Sequence, residues 1–154
     1  IPFFLSLDNK KPAPITDEEM TRFMISLEEG VDLVIKAFQE SAGGEIYVKK
    51  IPSMRVVDIA ETILGHNKIE VIGVRLGEKI HEQMISPEDS LTTYSYDGYY
   101  KILPSINDWH KDPNRIKNGK KVENGFTYSS DMNNEWMTKD QLNEFLRENN
   151  YLKK

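Results

Sequence analysis

The chain has 154 residues, 38% hydrophobic and 29% charged, which is enough for one soluble domain with a real core. Its formal net charge of -5 argues against a nucleic-acid binder, which needs a concentrated basic face. It contains no cysteine, which excludes disulfides, thiolate metal sites and a cysteine nucleophile, and fits a cytoplasmic setting.

The opening Ile1-Pro2-Phe3-Phe4-Leu5 is apolar but too short to span a bilayer, and no charged segment precedes it as in a signal peptide. It lacks an initiator Met and reads as part of something longer. The stretch to Leu7 suits the tail of a helix, residues 10–14 a loop with two prolines, and Ile15-Thr16-Asp17 a short extended segment or turn. Ser26 and Glu29 form a capping box, and Leu27, Val31, Val34, Ile35 and Phe38 repeat at helical spacing. A helix is therefore predicted from Leu27 to about Glu40, stopping before Gly43-Gly44.

Residues 45–48 suit a strand, which Pro52-Ser53 breaks. Val56, Ile59, Ala60 and Ile63 form a second helical stripe ending near Gly65. Residues 69–74 are apolar and β-branched and predict a strand; a charged turn from Arg75 then runs into a short helix reaching Met84. Residues 91–94 and 99–103 suit two strands joined by an Asp97-Gly98 turn. Residues 104–124 are polar and irregular, functional or packed on a partner surface, with the basic run Lys111 to Lys121 as a solvated loop. Thr138 and Gln141 form a second capping box, opening a helix that buries Leu142, Phe145 and Leu146. Helix and strand alternate at first and then become irregular. The pattern predicts a mixed α/β fold whose first half belongs to a larger sheet.

The stretch Arg75-Leu76-Gly77-Glu78-Lys79 follows a predicted strand, where α/β proteins place ligand-binding loops. Arginine can grip a diphosphate in two directions at once, and a carboxylate can accept hydrogen bonds from vicinal hydroxyls. Taken alone, the stretch reads first as a charged surface turn with a local Arg–Glu pair. Met20-Thr21-Arg22-Phe23 is either core Met and Phe around an exposed Arg, or a contact of Arg22 with a phosphate or a neighbouring domain. Residues 128–134 are either a turn or a loop closing over a polyhydroxylated ligand. His66, His81 and His110 stand singly, so no metal site is expected. No Gly-x-Gly-x-x-Gly or Gly-x-x-Gly-x-x-Gly loop, Walker loop or Tyr-x-x-x-Lys pair occurs, and no catalytic residue can be assigned.

Taken in order, Pro2-Phe3-Phe4, Ile15-Thr16-Asp17, Met20-Thr21-Arg22-Phe23, Gly43-Gly44-Glu45-Ile46-Tyr47-Val48, Ile51-Pro52-Ser53-Met54 and Arg75-x-Gly77-Glu78-Lys79-x-His81-Glu82-x-Met84 resemble UDP-N-acetylglucosamine 4,6-dehydratases. These are extended short-chain dehydrogenase/reductases. The tail Phe126-x-Tyr128-Ser129-Ser130-x-x-Asn133-Asn134-x-Trp136 resembles the inverting branch, which opens the pseudaminic acid pathway. Leu76 stands where proline is usual in the family, and Met24 where tryptophan is frequent.

The resemblance implies the C-terminal, substrate-binding portion of such an enzyme. Residues 1–50 would belong to the Rossmann-type core and residues 51–154 to the substrate-binding region. It implies that Arg75 contacts the UDP diphosphate, that Glu78 lies near the ribose, that Thr16 approaches the nucleotide, and that Ser130, Asp131, Met132 and Asn133 approach the substrate. NADP and the catalytic residues would sit in a missing N-terminal half. This stretch alone would bind no cofactor and be inactive, and the whole enzyme would be a cytoplasmic oligomer with neither nucleic acid nor membrane as partner. The alternatives are a related nucleotide-sugar epimerase, a retaining dehydratase, or a non-catalytic module that binds nucleotide sugars or protein. Without the missing sheet, the helix from Leu27 and the strand at Ile46 would expose apolar surface. Self-association or rearrangement is then expected.

Overall fold

The computed structural model describes residues 1–8, 10–65, 68–149 and 151. It is a mixed α/β structure with helices α1 (Pro2–Leu5), α2 (Leu27–Glu40), α3 (Val56–Leu64), α4 (Pro113–Ile116) and α5 (Lys139–Glu148). Its strands are β1 (Ala13–Ile15), β2 (Thr21–Phe23), β3 (Ile46–Lys49), β4 (Ser53–Arg55), β5 (Ile69–Val71), β6 (Gln83–Ile85), β7 (Thr93–Ser95), β8 (Tyr99–Ile102), β9 (Lys120–Lys121) and β10 (Tyr128–Ser129). They form small separate sheets. β1 and β5 pair in parallel, β2 with β4 and β6 with β10 pair antiparallel, and β3, β8, β7 and β9 form an antiparallel sheet in that order.

The principal core packs α1, α3 and α5 against β1 and β4. Phe4, Ala13, Ile15, Met54, Ile59, Ala60, Leu64, Leu142 and Leu146 meet there. Each fully buried leucine of α5 stabilises the fold by roughly 1.5–3 kcal/mol. Thr138 Oγ1 accepts from Gln141 N and the Gln141 side chain accepts from Thr138 N, so the capping box is complete. α3 ends at Gly65 in the left-handed conformation, as its glycine signals. A second cluster joins Val48, Ile85, Ile102 and Tyr128.

α2 has the expected bounds, and Ser26 and Glu29 cap it reciprocally. Its apolar stripe nevertheless stays largely exposed among the described residues. Leu27 is 84% and Phe38 90% exposed, and Val31, Val34 and Ile35, with Ile46 of β3, are exposed too.

Four expectations need correcting. Residues 75–82 are turns and bends with no helix. Gly73 and Gly77 take positive φ, and the carbonyls of Lys79 and Ile80 accept from Arg22 and from Thr21 N, which leaves them no helical role. The strand from Ile69 stops at Val71 for the same reason, since Gly73 turns the chain away. Pro52-Ser53 does end β3, but Ser53 at once begins β4, whose partner β2 lies about thirty residues earlier. Finally, the basic run is no solvated loop. Arg115 Nη1 pairs with Glu45 Oε1 at 2.7 Å with side-chain exposures of 10% and 1%. Lys101 Nζ donates to Arg115 O, Tyr94 and Tyr96 donate to His110 O and Ile116 O, and Lys121 Nζ donates to Ser90 O. These bonds strap residues 104–121 onto the four-stranded sheet.

Candidate functional site

The parallel pairing of β1 and β5 decides where the site forms. Ala13 faces Ile69 and Ile15 faces Val71, so both strands point their carboxyl ends at one edge. That is where open α/β arrangements bind ligands. Ile72 N donates to Ile15 O at 2.8 Å, extending the pairing, and Thr16 leaves the edge beside the 72–78 turn.

The turn closes on itself. Glu78 N donates to Arg75 O at 3.0 Å, and Glu78 Oε2 accepts from Arg75 N at 3.2 Å. Gly77, at φ +82°, supplies the backbone conformation that this closure requires. Thr16 Oγ1 donates to Glu78 Oε1 at 3.0 Å. The carboxylate is thus fixed from both sides. The Arg75–Glu78 contact runs through the backbone of Arg75. Among the described residues the Arg75 guanidinium has no hydrogen-bond or ion-pair partner, and it is exposed.

A cleft of about 300 Å³ opens at this edge. Thr16, Arg22, Arg75 and Glu78 supply its polar lining, and its apolar walls include Phe4, Ile15, Met20, Val56 and Ile59. It combines two guanidinium groups, a carboxylate and a hydroxyl with a dry floor. Such a cleft can take an anionic head, bind hydroxyls and cover a flat ring.

The remaining expected site residues lie elsewhere. Ser130 is fully buried behind the turn, where its Oγ accepts from Glu82 N at 2.9 Å and lies 2.6 Å from Thr21 Oγ1. Asp131 is exposed, its carboxyl held below its ordinary value chiefly by the Ser129 hydroxyl. Met132 is 70% exposed. Asn133 Nδ2 donates to Ile51 O, Ser53 Oγ and Glu135 O, a structural anchor for the tail. None of these four lines the cleft. His81 Nδ1 lies 2.8 Å from Thr21 Oγ1, His110 sits in the strap, and His66 lies outside the described residues. Arg22 was the least legible member of the site, since two bulky apolar neighbours made it look like an exposed charge beside a core.

Among the described residues, strands lead into helices from β2 to α2 through Met24-Ile25-Ser26, from β4 directly into α3, from β8 through residues 103–112 to α4, and from β10 through residues 130–138 to α5. None of these junctions contains glycine, the residue that lets a backbone cradle a dinucleotide's pyrophosphate.

The family model described as polysaccharide biosynthesis protein matches residues 1–104. The chain belongs to this family. Over 95% of its length it is 45% identical to UDP-N-acetylglucosamine 4,6-dehydratase (inverting) of Campylobacter jejuni, of which it spans 46%. It is 35% identical to UDP-glucose 4-epimerase of Rickettsia akari over 79% of the chain, spanning 37% of that relative. The chain also superposes on the X-ray structure of Pen from Bacillus thuringiensis with a TM-score of 0.77 and 25% identity, covering 99% of this chain and 45% of that one. It spans less than half the length of each of these proteins. No helix among the described residues is long and apolar enough to cross a membrane.

Proposed function

We propose that this chain is the nucleotide-sugar-holding, C-terminal part of a UDP-N-acetylglucosamine 4,6-dehydratase of the inverting kind, acting in surface-glycan synthesis. The observation that carries this reading is the cleft itself. It brings an uncommitted guanidinium at Arg75 and a pre-oriented carboxylate at Glu78 to one rim, with Thr16 fixing the carboxylate. Arg75 takes the diphosphate by charge-assisted hydrogen bonds, and Glu78 accepts from the ribose hydroxyls. The apolar floor covers the uracil ring.

The redox chemistry belongs to an NADP-binding half that completes the enzyme, and the present residues bind and orient the substrate. The exposed face of α2 is where that half packs. With this chain alone, NADP and UDP-N-acetylglucosamine give no 4-keto product. Calorimetric titration with UDP tests the binding claim, and a 4-keto product from the isolated chain would refute the division of labour.

Similarity to UDP-glucose 4-epimerase supports a second reading, in which the same cleft serves an epimerase. The dehydratase is favoured because similarity to it is higher and extends over more of the chain. Product stereochemistry from a completed enzyme separates the two.

A further inference from the structure

We infer that Arg22 is a positioning residue for the nucleotide-binding turn, acting through the backbone of residues 79–82. The inference rests on the proposed role of that turn. An arginine lining an anion-binding cleft is ordinarily taken for a ligand contact. Here four of its five donors are already committed. Nη1 donates to Thr21 O at 2.7 Å and to Ile80 O at 3.0 Å, and Nη2 donates to Lys79 O at 3.0 Å. Nε faces Glu82 Oε1 at 3.3 Å. A guanidinium has five N–H donors in a fixed fork. Three of these go to carbonyls and a fourth faces a carboxylate that offsets its charge.

The placement explains why this fork is needed. Residues 75–82 follow the glycine at 73 and form no helix, and the carbonyls of Lys79 and Ile80 take their hydrogen bonds from β2, Lys79 O from Arg22 and Ile80 O from Arg22 and Thr21 N. A buried or half-buried carbonyl without a partner is costly. Arg22 extends from β2, which β4 holds by antiparallel pairing, and so ties the exit of the turn to a fixed strand. At the turn's entrance, Ile72 N is tied to Ile15 O, and Thr16 holds Glu78. Clamped at both ends, the turn presents Arg75 and Glu78 in a set relation to each other. Lysine keeps the charge but has a single nitrogen with no planar fork, so it cannot span the same carbonyls.

The test compares the chain with its Arg22→Lys variant by amide hydrogen exchange and UDP titration. In the variant, exchange at the amides of Glu78 and Glu82 accelerates by about tenfold or more, while α3 and α5 keep their protection. The UDP dissociation constant rises about tenfold, and in a Glu78→Ala background the effect of Arg22→Lys falls to within about twofold, the signature of action through Glu78. Glu82→Gln, which removes the ion pair but leaves the carbonyl contacts, leaves exchange unchanged. Unaltered exchange in Arg22→Lys, acceleration spread evenly over the chain, or an equal effect from Glu82→Gln overturns the inference. If the unsubstituted chain fails to bind UDP, the nucleotide reading falls, and the exchange result still decides whether Arg22 organises the turn.

Discussion

Thr16 and Glu78 are 62 positions apart in the chain, yet the threonine hydroxyl donates to the glutamate carboxylate at 3.0 Å. The bond joins the end of one parallel strand to the turn that follows the other. It fixes one carboxylate oxygen while the Arg75 N–H fixes the second. Glu78 is therefore oriented before any ligand arrives, and preorganisation of this kind lowers the cost of binding.

Thr16→Val removes this bond with little change in volume. A hydrogen bond of this kind contributes about 1 kcal/mol. We expect UDP affinity to fall roughly threefold to tenfold, with a smaller loss in melting temperature than a core substitution gives. Calorimetry and thermal unfolding of the same samples measure both.

Asn133 offers the opposite case. Its amide nitrogen lies 2.8 Å from Ile51 O, 3.1 Å from Ser53 Oγ and 2.9 Å from Glu135 O, and the first two contacts join the tail to residues 51–53. Asn133→Ala takes a donor from Ser53 Oγ, while Ile51 O keeps the Tyr128 hydroxyl and Glu135 O keeps Ser53 N, and is expected to lower stability by about 1 kcal/mol while leaving UDP affinity unchanged. A selective loss of affinity, read by titration against denaturant unfolding, would make Asn133 a ligand contact instead.

The exposed stripe on α2 predicts association of the isolated chain. Leu27, Val31, Val34 and Phe38 lie at alternating spacings of four and three, the repeat that seats one helix against another. Light scattering is expected to show a mass that grows with concentration. Combining Val34→Glu with Phe38→Glu should give a monomer whose stability differs by only about 0.5 kcal/mol, because neither side chain packs internally. A monodisperse monomer before substitution would contradict this.

Glu45 gives a pH dependence. Burial pushes its carboxyl up, but the Ser41 hydroxyl, nearby backbone N–H groups and the Arg115 charge together hold it below the ordinary value of 4.5. A carboxyl depressed in the folded state contributes stability that is complete above its unfolded pKa and lost as pH falls through the folded one. The strap over residues 104–121 should therefore loosen below about pH 4.5. Glu45→Gln removes this titration and the shorter of the two ion pairs of Arg115, which keeps Asp112 at 3.8 Å. At pH 7 we expect a loss of about 1–3 kcal/mol, with a flatter melting-temperature profile between neutral and acid pH.

Local signals were legible in proportion to how local the physics is. Ser26 with Glu29, Thr138 with Gln141, and Gly65 mark their helices because capping is settled within one turn. β2 and β4 were hidden because three-residue strands carry too little periodicity, and each is stabilised only by the other. Arg115 looked solvated because its partner Glu45 lies 70 residues earlier. Arg75 and Glu78 were recognisable from their place after a strand and from the family resemblance. The Thr16 bond and the Arg22 fork that orient them exist only once β1, β2 and β5 are assembled. The α2 stripe was readable as a helix face, but the surface that would cover it is not among these residues.

Titrating UDP into the unsubstituted chain, Arg75→Ala and Glu78→Ala by calorimetry tests the central claim most directly. We expect the unsubstituted chain to bind, and each substitution to weaken binding roughly tenfold to a hundredfold while leaving the melting temperature nearly constant. Equal affinity in all three proteins, or no binding by the unsubstituted chain, would contradict it.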